Sequence, residues 1–87
     1  MYSASEKQIL QQFGQRVREL REKMGLSQET MAYEAGVDRS FVGKVERGDN
    51  NVSLLKMARL AKVLNVSLVE LLIDVVIPDD LLDAEPT

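Results

Sequence analysis

Eighty-seven residues with a formal net charge of −3, no cysteine and no histidine make one small domain, with no disulfide framework and no thiolate metal site. Without histidine the commonest general base and metal ligand is gone, and no carboxylate cluster replaces it, so no enzyme activity, metal or cofactor is expected. The amino terminus, MYSASEKQ, lacks the order of a signal peptide and no apolar run could span a bilayer, so a cytoplasmic protein with no membrane partner is expected.

The charge is unevenly spread. Residues 1–64 hold all eleven Lys and Arg against eight acids, a balance of +3. Residues 65–87 hold six acids and no base. A mildly basic body with an acidic end is compatible with nucleic acid, because phosphate binding responds to a local face rather than to the whole-chain sum.

In chain order, the first helix is predicted over about residues 6–24, with Ser5 as N-cap and Gln8 completing a capping box. Ile9, Phe13, Val17, Leu20 and Met24 recur at three and four and mark its buried stripe. A second helix follows Ser27 and stops at Gly36. A third follows Asp38 and stops at Gly48, with Ser27 and Asp38 offering acceptors to the first amides. Gly48-Asp49-Asn50-Asn51 is a polar turn. Ser53 opens a fourth helix to about residue 64, with a broad apolar face of Leu54, Leu55, Ala58, Leu60, Ala61 and Leu64. Ser67 opens a fifth, from Leu68 to about residue 74. Pro78 interrupts any helix in the tail, where Leu81 and Leu82 form at most a short turn or lie in a disordered end. The reading is an all-α, compact five-helix domain over residues 1–74 with an acidic tail, 75–87.

Residues 28–47, QETMAYEAGVDRSFVGKVER, read as two short helices joined by a tight turn, the layout of a helix-turn-helix. Ala32 lets the helices cross closely, and Met31, Ala35, Val37, Val42 and Val45 form the seam between them. The outward positions of the third helix are then Arg39, Ser40, Gly43, Lys44 and Arg47. Gly43 stands out, since glycine in a helix interior costs about 1 kcal/mol relative to alanine. An exposed glycine there would permit close approach of backbone to DNA.

The stretch FGQRVRELREKMGLSQETMAYEAGVDRSFVGKVERG, continued by NNVSLLKMARLAKVLNVSLVELL, resembles the Cro/phage-repressor (Xre-type) helix-turn-helix family. DRSFVGKVERG also resembles the small controller proteins of restriction–modification systems. The resemblance implies that Gln28 contacts a phosphate and that Arg39, Ser40 and Lys44 face base edges or nearby phosphates. It implies that Arg47, Asn50 and Asn51 meet phosphates, and that Phe41 touches the DNA backbone or a thymine methyl. Arg21 and Glu46 match a buried ion pair that is scaffold rather than readout. Gly43 departs from the family pattern, where many members keep a polar side chain.

Plainer readings stand beside these. Phe41 could be a packing residue, Arg39 a solvated charge, and Arg47 a partner for the end of its own helix. Asp79 and Asp80 read as solvated. The apolar run of Leu68, Leu71, Leu72, Val75, Val76 and Ile77 is too dense for one small core, so part of it is expected to form a two-fold interface. The function expected is a homodimeric, sequence-specific transcriptional regulator of double-stranded DNA with a (pseudo)palindromic operator, an autoregulating controller or a repressor. The alternative is an antitoxin-type interaction module whose acidic tail holds a protein partner.

Overall fold

Serine side chains open four of the five helices that the computed structural model shows within residues 1–83, the residues it describes. The elements are α1 (Ala4–Lys23), α2 (Gln28–Ala35), α3 (Arg39–Glu46), α4 (Leu54–Leu64), α5 (Leu68–Leu72) and a 3-10 turn, Leu81–Asp83. The architecture is the expected all-α one.

The N-cap of α1 is Ser3, not Ser5. Ser3 Oγ accepts from the Glu6 amide at 3.1 Å, and the Ser3 amide donates to Glu6 Oε1 at 2.8 Å. Two Ser-x-x-acceptor boxes overlap here, and the one closed by a carboxylate prevails, because its hydrogen bond is charge-assisted and lies at the positive helix end. Ser5 is buried instead. Ser27, Ser53 and Ser67 cap α2, α4 and α5 as anticipated, and Glu70 completes a box with Ser67. Asp38 has the extended backbone of an N-cap but makes no side-chain cap bond. At the other ends, Gly36 (φ 71°) and Asn65 (φ 57°) take the left-handed conformation that stops α2 and α4. Helix α5 ends at Leu72, earlier than anticipated.

The core is Phe13 and Val17 from α1, Met31, Ala32 and Ala35 from α2, Phe41, Val42 and Val45 from α3, Leu60, Ala61 and Leu64 from α4, and Leu71 from α5. On α4 the inward face is narrower than its sequence suggests. Leu54, Leu55 and Ala58 lie outside, and half-buried Met57 joins Leu60, Ala61 and Leu64 on one stripe. Met24, at the end of α1, is likewise exposed.

Helix α1 lies directly on the last turn of α3. A Cβ on Gly14 would stand 2.1 Å from the Val45 carbonyl oxygen and 2.9 Å from that of Glu46. Gly48 meets α1 in the same way, 2.9 Å from the Gln11 backbone. Two turns along α1 from Gly14, Arg21 Nε donates to Glu46 Oε2 at 2.6 Å and Nη2 to Glu46 Oε1 at 3.0 Å, with side chains only 12% and 4% exposed. Arg21 Nη1 also donates to the Leu26 carbonyl at 2.8 Å. The carboxylate raises the Arg21 pKa above its ordinary value, against the opposing effect of burial. The anticipated scaffold pair is present.

The carboxyl-terminal segment is tied back to α1. Gln12 Nε2 donates to the Val76 carbonyl at 3.0 Å, and the Val76 amide donates to Gln12 Oε1 at 2.9 Å. Arg16 donates twice to the Glu70 carbonyl, at 3.2 and 2.8 Å. Val75 packs on the core.

Two stability outcomes are expected. Gly14→Ala forces a methyl into backbone atoms that cannot rotate away, so urea titration should show a loss of about 3 kcal/mol. Glu46→Ala strands a nearly buried guanidinium and should also cost about 3 kcal/mol. The paired change Arg21→Met with Glu46→Leu should cost less than that single truncation.

Candidate nucleic-acid interface

Helices α2 and α3 are joined by Gly36, Val37 and Asp38. The turn is closed by the Val37 amide donating to the Ala32 carbonyl at 3.0 Å and the Gly36 amide to that of Tyr33 at 3.2 Å. Ala32 and Ala35 of α2 are buried in the same core as Val42 and Val45 of α3, and small side chains at a helix crossing permit a close approach. Arg59 of α4 donates to the Ala35 carbonyl at 3.2 Å and so satisfies an acceptor at the end of α2. The pair is thus held from both sides, by α1 through α3 and by α4 through α2.

The solvent side of α3 carries Ser40, Lys44 and Arg47 at spacings of four and three, one stripe of the helix, with Arg39 beside it at the first turn. All four are exposed. Arg39 Nε lies 3.4 Å from Glu29 Oε1 at the start of α2, and both side chains are mostly in solvent. A pair of that kind is worth well under about 1 kcal/mol and releases its arginine readily. Gln28 Nε2 donates to Glu46 Oε1 at 3.1 Å, so the scaffold pair also fixes the first side chain of α2 at the edge of the stripe.

Two of the anticipated surface positions are not on the surface. Phe41 is 8% exposed and belongs to the core, with Lys56 Nζ 4.5 Å above its ring. It sits at the border between the outward stripe and the inward face that carries Val42 and Val45, and Lys56 closes over it. It packs in the core and keeps little surface for a contact with DNA. Gly43 is buried as well. A Cβ there would stand 3.2 Å from Arg47 Nη1 and 3.9 Å from Gln28 Oε1, so these two polar side chains cover the glycine. The bare backbone that was anticipated as facing DNA is roofed by Arg47 and Gln28.

The loop after α3 divides the remaining candidates. Arg47 Nε pairs with Asp49 Oδ2 at 3.2 Å. Asn50 is half-buried, and Asn51 lines a crevice with Ile9, Leu10 and Leu81 on the α1 side. Lys7 was not anticipated here. It reaches from α1 to the Gly48 carbonyl and Asp49, and no local sequence pattern marks a contact spanning more than forty residues.

The apolar run in and after α5 also divides. Leu71 is 0% exposed and offers no surface to a partner, while Leu68 and Val75 are half-buried against the core. On the one-and-a-half turns of α5, Leu68 and Leu71 share the inward face, which turns Val69, Leu72 and Ile73 outward. Val76 and Ile77, 65% and 69% exposed, continue that outer patch. No group of three or more His, Cys, Asp or Glu that could hold a metal occurs among the described residues. No helix among them is long and apolar enough to cross a membrane.

Comparison with known proteins follows the same lines. The pattern of the helix-turn-helix family matches residues 17–71. The control protein C.BamHI of Bacillus amyloliquefaciens is 41% identical over 72 residues, covering 82% of this chain and 76% of that one. The structure of the restriction–modification controller protein C.AhdI from Aeromonas hydrophila is 56% identical, covers 71% of this chain and 94% of its own, and superposes with a TM-score of 0.70. The controller protein C.Esp1396I, solved as a tetramer in complex with its natural 35 base-pair operator, is 28% identical, covers 75% of this chain and 90% of its own, and gives a TM-score of 0.68. The chain belongs to the helix-turn-helix family of transcription regulators that includes these restriction–modification control proteins, a family of DNA-binding proteins and not of enzymes.

Proposed function

We propose that the protein is a sequence-specific transcription regulator of the restriction–modification controller type, acting on its operator as a homodimer. The observation that carries this reading is the exposed stripe of Ser40, Lys44 and Arg47 with Arg39 on a helix clamped by a nearly buried ion pair. A rigid helix with polar outward side chains suits insertion into the major groove. Arg39 is the strongest base reader, since a guanidinium can donate to O6 and N7 of guanine together. Ser40 and Lys44 reach neighbouring base edges or phosphates. Gln28, Arg47, Asn50 and Asn51 set the register against the phosphate backbone.

The second surface is the patch of Leu72, Ile73, Val76 and Ile77. A self-complementary apolar patch beyond the core suits a two-fold pair, and a two-fold pair would present two copies of α3 about 34 Å apart on one face of the duplex. The operator complex of C.Esp1396I supports an oligomer on DNA as the working form. An autoregulating controller or repressor is the role proposed.

Selection of bound duplexes from a random pool should return a (pseudo)palindromic site. Arg39→Ala should weaken binding to that site by about 1–3 kcal/mol and relax its preference at one base position. Equal affinity of the wild type for the selected and scrambled duplexes would sink the reading. For the assembly, Val76→Asp with Ile77→Asp should turn a dimer into a folded monomer in sedimentation. A wild-type monomer at micromolar concentration would rule the homodimer out.

A further inference from the structure

At the carboxyl end of α3, Lys7 and Asp49 have no part in the roles assigned so far, although they cluster with Arg47, already proposed as a phosphate contact. Lys7 donates to the Gly48 carbonyl at 2.6 Å and pairs with Asp49 Oδ1. Arg47 pairs with Asp49 Oδ2 at 3.2 Å. The Asp49 amide donates to the Lys44 carbonyl at 2.8 Å, which anchors the carboxylate to the last turn of the helix that carries Ser40 and Lys44. Two cations from distant parts of the chain therefore converge on one small anion, with one cation at each oxygen.

All three side chains reach solvent, at 32%, 45% and 63% for Lys7, Asp49 and Arg47. Hydrogen bonds from Lys7 and then Arg47 hold the Asp49 carboxyl below its ordinary range, so it is charged at neutral pH. An oxyanion gripped by a lysine and an arginine is also how proteins hold one phosphate of a nucleic-acid backbone.

We propose that Lys7 and Arg47 form a seat for a DNA phosphate at the end of α3, and that Asp49 is its resident occupant, reducing the charge the seat offers to DNA from two positive units to one. The proposal rests on α3 docking against DNA. It adds Lys7 to the phosphate contacts and gives Asp49 the task of limiting affinity. Phosphates carry no base identity, so Asp49 lowers affinity for every duplex alike and leaves sequence preference to Arg39, Ser40 and Lys44. The close crossing of α1 here, with Gly48 packed on Gln11, is what brings Lys7 within reach of the seat.

The test is a charge cycle on the full chain, with the selected and a scrambled duplex titrated at salt concentrations from about 50 to 200 mM. Each phosphate neutralised contributes about −0.9 to the slope of log K against log salt concentration. Asp49→Asn keeps the side-chain shape, so the fold is retained in a thermal melt. It should tighten both duplexes by a similar factor and steepen the slope by about 0.9 per subunit. Lys7→Met should flatten the slope by a similar amount, and Lys7→Met with Asp49→Asn should return it to the wild-type value. Unchanged or weakened binding by Asp49→Asn, with the slope unmoved, would overturn the seat. Equal wild-type affinity for the two duplexes sinks the groove reading, whereas a flat charge cycle beside intact preference sinks the phosphate seat alone.

Discussion

The close crossing of α1 on the last turn of α3 is the constraint on which the rest of the molecule depends. It exists because position 14 has no side chain, so the α1 backbone can rest on the Val45 and Glu46 carbonyls. The same approach brings Arg21 to Glu46 with two hydrogen bonds. A charge pair this enclosed needs its partners fully matched, because desolvation otherwise outweighs the attraction. The extra acceptor at Leu26 and the extra donor from Gln28 complete the match. The result fixes α3 in orientation, which a helix of eight residues could not achieve alone.

Charges in this protein do two different jobs according to burial. The Arg21–Glu46 pair is scaffold: hardly any of it meets water, and it binds α1, α2 and α3 together through one carboxylate. Arg39, Lys44 and Arg47 stay in solvent, where the Arg39–Glu29 and Arg47–Asp49 pairs are weak and exchangeable. A net negative chain thereby keeps a local cationic face without storing repulsion in its core. Glu70, Asp74, Asp79, Asp80 and Asp83 all follow, in chain order, the helices that carry this face.

The helix-turn-helix was legible because its signals are local. Ser27 and Gly36 bound α2 through contacts within one turn, and Ala32, Val42 and Val45 declare their seam by a period of three and four. Misreadings arose where a local rule left a choice. Ser3 and Ser5 both offered a capping box, and only the carboxylate of Glu6 distinguished them. Phe41 and Gly43 lie at the border between the inward and outward sectors of α3, where a helical wheel cannot resolve burial. Neighbouring side chains decided it, with Lys56 over the ring of one and Arg47 and Gln28 over the backbone of the other.

By itself the sequence determined the five helices, most of their stops, the seam and the exposure of Arg39, Ser40, Lys44 and Arg47, because caps and helical periodicity act between residues no more than about one turn apart. It also marked Arg21 with Glu46, but only through resemblance to a family whose fold was already implied. Tertiary structure alone decided what Gly14, Gln12, Arg16 and Lys7 do. Their partners, at Val45, Val76, Glu70 and Gly48 with Asp49, lie tens of residues away. No spacing rule spans such a gap: a glycine, a glutamine or a lysine on the side of a long helix looks like surface until another helix is laid against it.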